Sequence, residues 1–162
     1  MIPRHALLAS RIRQELGQLD RVVERVEEVA RARKRQGAEP DYLLDSEALN
    51  LHGFYAGLER IFTQIASSFD QSTPAGADSH RELLRQMTVE IPNLRPPVLS
   101  PEAAGKVDEF LRFRHVVRYN YAFQLDPDRV ETLAARLRPT YREVSRDLEE
   151  FAAFLDRLAD DS

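Results

Sequence analysis

Apolar residues recur at alternating three- and four-residue steps in three long segments of the chain. The first runs Leu8, Ile12, Leu16, Leu19, Val23, Val26 and Ala30; the second Leu44, Ala48, Leu51, Tyr55, Leu58, Phe62, Ile65 and Phe69. The third runs Val130, Leu133, Leu137, Tyr141, Val144, Leu148, Phe151, Leu155 and Leu158. A seam of that period lies along one side of a helix, so each segment predicts a long helix packed lengthwise on its neighbours. At ~1.5 Å per residue the longest seams reach roughly 45 Å, which makes the assembly elongated. No segment alternates at period two for long enough to predict a strand. The expected class is all-α, an up-and-down bundle of four long helices plus one short helix.

Local chemistry sets the expected boundaries. Gly37 followed by Glu39-Pro40-Asp41 ends the first helix and starts the second. Residues 71–79 read as a loop, and a short helix is predicted from Ser79 to about Glu90. Residues 91–100 hold Pro92, Pro96 and Pro97, which remove donors and restrict their neighbours, so an extended spacer is expected. Ser100 then caps a fourth helix that has Pro101 in its first turn and runs to about Phe123. Asp126-Pro127 repeats the device for the last helix, and the short link makes helices four and five antiparallel neighbours. Pro139 is expected to kink or divide that helix near Arg138. The whole chain, 1–162, reads as a single domain.

Composition changes this picture little but excludes several chemistries. With 162 residues the chain can bury a core without covalent staples. It has no cysteine, which removes disulfides, thiolate zinc sites and cysteine nucleophiles and is compatible with a cytoplasmic location. The N-terminal apolar stretch is too short for a membrane span or a signal peptide. A net charge of −4 argues against a generally adhesive nucleic-acid binder while leaving room for a local basic site.

Most site motifs are missing. No glycine-rich loop follows a strand, and His5, His52, His80 and His115 are scattered without metal-ligand spacing, so no cofactor and no metal are expected. Glu24, Glu27 and Glu28 alternate with Arg25, Arg31 and Arg33, the pattern of a solvated helix face.

The informative stretch is 109–126. No acid occurs between Glu109 and Asp126, while Arg112, Arg114, His115 and Arg118 fall within two turns. At about 100° per residue, Arg114, Arg118 and Tyr121 share a stripe that continues through Val107, Phe110 and Val117. His115 and Tyr119 form a second stripe one step round. A guanidinium on an apolar face needs an acidic partner, a route to water or an anionic ligand. Either Arg114 pairs with a carboxylate of the bundle while the aromatics pack, or the face is an anion site.

Arg114, His115 and Tyr121 resemble the motif of the HepT-like toxins of the HEPN superfamily. That motif has an arginine, a polar residue, three variable positions, a histidine and, in HepT toxins, a tyrosine two residues later. The turn Leu125-Asp126-Pro127 and the segment His80–Met87 with its proline-rich continuation are also similar to a HepT-like subgroup. The position of the family histidine is Tyr119 here. The resemblance implies a homodimeric, metal-independent endoribonuclease of a toxin–antitoxin pair. In it Arg114 stabilises the phosphate during attack by the 2′-hydroxyl, with His115 and Tyr119 as the other catalytic candidates. Arg112, Arg118 and His80 are candidates for binding RNA phosphate, and His80 is also placed to supply an imidazole if its short helix folds back on the motif. The implied partner is a minimal nucleotidyltransferase antitoxin that adenylylates Tyr121. A phenol, with an ordinary pKa of about 10, is a poor general base at neutral pH. The alternative is therefore a catalytically silent HEPN binding module that keeps the nucleotidyltransferase partner.

Overall fold

The computed structural model describes residues 3–36 and 42–161. The expected turn at Gly37 and Glu39-Pro40-Asp41 lies outside the described residues. The elements are α1 (Arg4–Gln36), α2 (Tyr42–Gln64) continued by a π-helical turn (Ile65–Asp70), α3 (Ser79–Met87), α4 (Pro101–Tyr119), a 3₁₀ turn (Ala122–Gln124) and α5 (Pro127–Asp160). Among the described residues there is no strand, only an isolated bridge between Ile91 and Arg95. The fold is the all-α bundle that the seams predict.

Ion pairs between helices fix their directions. Arg13 of α1 reaches Glu149 and Asp156 of α5, while Arg138 of α5 reaches Asp20 and Glu27 of α1. Early residues of one helix thus meet late residues of the other, so the pair is antiparallel. Arg60–Glu15 and Arg33–Glu47 orient α2 against α1 in the same way. Lys106–Glu143 and Arg136–Glu109 do so for α4 and α5. These pairs are mostly exposed and worth little each. Stability comes from the seams, whose residues are buried almost throughout. A fully buried Leu or Phe of this kind contributes about 1.5–3 kcal/mol. Phe54 of α2 meets Phe110 of α4 edge-on, 5.3 Å between centroids, in the layer that carries the site. Gly57 allows α1 and α2 to approach closely: a Cβ there would lie 2.4 Å from Leu19 Cδ2.

Four boundaries differ from expectation. Helix α3 stops at Met87, because the Thr88 amide and hydroxyl both donate to the Arg85 carbonyl and close the turn. Helix α4 stops at Tyr119 rather than Phe123; Asn120 is extended and its side-chain amide donates to the Val116 carbonyl, capping the last turn. Helix α5 is not divided at Pro139. The proline is exposed, Ala135, whose carbonyl loses its backbone donor, is exposed too, and the Thr140 hydroxyl donates to Arg136 nearby. The expected spacer opens with a tight turn over residues 91–95, and 96–100 continue without regular structure. Ile91 and Arg95 exchange both backbone bonds, Asn93 sits at φ 65°, and the amides of Val98 and Leu99 both donate to the Met87 carbonyl.

Within that turn Arg95 is buried. Its Nε and Nη2 donate to the two oxygens of Asp70 at 2.6 and 2.8 Å. The remaining donors reach the carbonyls of Gln86, Val89 and Pro96. Every guanidinium hydrogen is used, which is what allows a charge to be taken out of water. The Gln86 side-chain amide also donates to Asp70, tying α3 to the same carboxylate.

Candidate functional site

Helix α4 places its cations in different settings. Arg112 is exposed and pairs with Asp108 one turn earlier, at 2.7 Å. Arg114 is half-buried and Arg118 exposed; among the described residues neither forms an ion pair. Among the described residues no carboxylate pairs with Arg114, so that explanation of a cation on an apolar face finds no support there.

A groove of about 340 Å³ opens between α3 and α4, lined by His80, Arg81, Arg112, Arg114 and His115 among others. Arg81 lies 3.8 and 3.9 Å from Asp78 and Asp108, and Asp108 also holds Arg112. Arg114 is the groove's arginine without a partner carboxylate among the described residues. Lining this open groove without an acid to match it, it suits a bidentate oxyanion such as phosphate. A wider groove between α4 and α5 is lined by both signs of charge, and its Arg136 pairs with Glu109. It offers no comparable excess charge.

The other sequence candidates divide. His80 reaches the motif helix, since it lines the groove with Arg114 and His115, and its Nδ1 lies 2.8 Å from Glu59 Oε2 of α2. The His115 and Tyr119 rings pack at 4.5 Å, as one-turn neighbours should. Tyr121 departs from its expected place: α4 has ended, so Tyr121 lies off the helical stripe of Arg114 and Arg118. Its amide donates to Gln124, and its ring stacks on Phe123 at 5.6 Å. Tyr119, Tyr121 and Phe123 are 70, 72 and 84% exposed, an aromatic cluster at the end of α4.

Two participants were not singled out from sequence. Glu59 has no motif and is found only through its contact with His80. His52 stood among the scattered histidines, yet α2 carries it to Arg114 and Arg118. Its pKa is pushed below the ordinary 6.5, first by burial and then by those two arginines, with Glu59 opposing. A family model described as HepT-like protein matches residues 46–155. The chain belongs to the HepT-like family. The match runs from α2 into α5 and takes in the whole groove. No curated protein and no solved structure matches significantly.

For this HepT-like protein His52 is a natural reporter. Because its folded pKa is depressed, its contribution to stability is complete above its unfolded value and is lost as pH falls through the folded one. Arg114→Gln should raise the His52 pKa toward 6.5, and inorganic phosphate bound at Arg114 should act in the same direction; Arg118, the other arginine near His52, does not line the groove. NMR titration of the His52 ring reads both. A His52 pKa indifferent to phosphate would argue against an anion site here.

Proposed function

We propose that this chain is the toxin component of a toxin–antitoxin pair, a metal-independent endoribonuclease neutralised by a nucleotidyltransferase through adenylylation of Tyr121. The observation that carries the reading is Arg114, open to a groove in which Arg81 and Arg112 are already matched by acids. In RNA cleavage the 2′-hydroxyl attacks the adjacent phosphorus. The charge that builds on the phosphoryl oxygens is what a fixed guanidinium stabilises. His115 and Arg118 lie one residue and one turn beyond Arg114 and assist. Among the described residues no group of three or more His, Asp or Glu could hold a metal ion, and no helix is long and apolar enough to cross a membrane. Tyr121 suits its role as acceptor because it is exposed on a short turn beyond the helix. The exposed aromatic cluster also suits a homodimer that includes the end of α4, with both copies in the cytoplasm and each forming one HEPN-like unit over 1–162.

The second reading is a silent binding module, favoured by Tyr119 standing where the family resemblance puts a histidine. One experiment separates the two. Purified protein in EDTA should cleave single-stranded RNA to 2′,3′-cyclic phosphate ends. A minimal nucleotidyltransferase with ATP should abolish the activity in the native chain but not in Tyr121→Phe. Nucleotide transfer and partner binding without any cleavage would leave the silent module standing. Light scattering should give twice the 18.6 kDa protomer mass.

A further inference from the structure

Tyr119 is an exposed phenol beside His115, which leaves open what accepts the proton of the attacking hydroxyl. The groove offers an answer from its other wall. His80 stands in the first turn of α3, and its Nδ1 lies 2.8 Å from Glu59 Oε2. An ionised carboxylate only accepts hydrogen bonds, so the bond places a proton on Nδ1, and in the neutral ring the lone pair is then the one on Nε2. This is the arrangement by which a carboxylate fixes the tautomer and orientation of a catalytic imidazole. Glu59 is itself confined. It lies one turn from the buried Tyr55, whose phenol is held protonated first by burial and then by the charge of Glu59. His80 and Glu59 are both half-buried, and His80 shares the groove with Arg114 and His115.

We propose that His80, oriented by Glu59, is the general base of the ribonuclease reaction, facing Arg114 across the groove. The inference rests on the ribonuclease reading above. Nε2 of His80 takes the proton of the 2′-hydroxyl while that oxygen bonds to phosphorus. The bond from phosphorus to the 5′-oxygen breaks, and the departing oxygen takes a proton from protonated His115 on the α4 wall. The product ends are a 2′,3′-cyclic phosphate and a 5′-hydroxyl. No metal, water or oxidant enters the step. Glu59 is a positioning residue: it touches the imidazole and not the substrate.

The test uses the full chain, a fluorescent single-stranded RNA of mixed sequence, and the all-deoxy strand with that sequence as a non-cleavable ligand. His80→Ala should lower kcat by about 10²–10⁴-fold, the usual contribution of a general base, while binding the deoxy strand as the native chain does. Added imidazole should restore part of the lost rate, because the truncation leaves room for it beside Glu59. Glu59→Gln should lower kcat with KM unchanged, and Glu59→Asp should recover part of the loss. If His80→Ala cleaves as fast as the native chain, this inference is wrong and the ribonuclease reading survives. If His80→Ala is inactive but imidazole does not rescue it, His80 is structural and the inference is again overturned. If the native chain itself cleaves nothing, both fall together.

Discussion

Arg95→Ala should destabilise the protein by about 3–5 kcal/mol, the usual cost of removing one partner from a buried ion pair. The effect is large because the loss is not confined to one contact. Asp70 would keep its charge in the interior with only the Gln86 amide as donor, and the carbonyls of Gln86, Val89 and Pro96 would each lose the guanidinium. The π-helical turn after α2, the end of α3 and the proline-rich turn converge on this one side chain, so the groove wall formed by α3 should loosen as well. For a chain of this size each kcal/mol lowers the melting temperature by about 2–4 °C, giving a fall of roughly 6–20 °C. Asp70→Ala should behave similarly, since it orphans a buried guanidinium. Combining Arg95→Met with Asp70→Leu should recover part of the loss but not all, because the three carbonyls stay unpaired. Thermal unfolding by circular dichroism decides it. A melting point for Arg95→Ala within about 2 °C of the native chain would show that the network carries no stability.

That network also marks where the sequence stopped being legible. The three seams could be read because burial on one side of a helix imposes a period, and residues from Leu8 to Leu155 obey it. The starts of α4 and α5 could be read because Ser100-Pro101 and Asp126-Pro127 are local devices that act within one turn. Indeed Ser100 Oγ accepts from the Ala103 amide, and Asp126 accepts from the Asp128 amide. The end of α4 could not, since Tyr121 and Phe123 continue the apolar spacing while the Asn120 side chain takes the Val116 carbonyl and stops the helix. Arg95 was invisible for a different reason. An arginine between prolines looks like a solvated linker, and its acceptors come from three segments that only the fold brings together.

The site was legible to the same extent. Arg114 and His115 stood out because cations on an acid-free stretch of helix call for a partner. His52, Glu59 and His80 lie on other helices, and nothing local ties them to α4. Only the packing of α2 on α4, with α3 folded across, brings His80 into the groove with Arg114, Glu59 against His80, and His52 near Arg114 and Arg118.

The two arginines predict opposite outcomes, and the second is Arg114. Arg114→Ala should lower RNA cleavage by about 10²–10³-fold, the usual loss when a donor to developing negative charge is removed. Its melting temperature should stay close to that of the native chain. The reasons are on opposite sides of the side chain. Toward the groove, Arg114 lines an open wall where a phosphate would sit. Toward the bundle it has no carboxylate among the described residues, so its removal orphans no buried charge. It also depresses the His52 pKa, and without it His52 should titrate closer to its ordinary value, which slightly favours the folded chain below neutrality. Arg114→Lys should keep part of the affinity for RNA and less of the rate, because a point charge lacks the planar fork that grips two oxygens. The salt dependence of RNA binding should flatten by about one counterion in Arg114→Ala. Cleavage, melting and salt dependence together separate the possibilities. An Arg114→Ala chain that melts as early as Arg95→Ala makes Arg114 a structural residue. One that is stable and cleaves at the native rate removes the phosphate-binding role on which the functional reading depends.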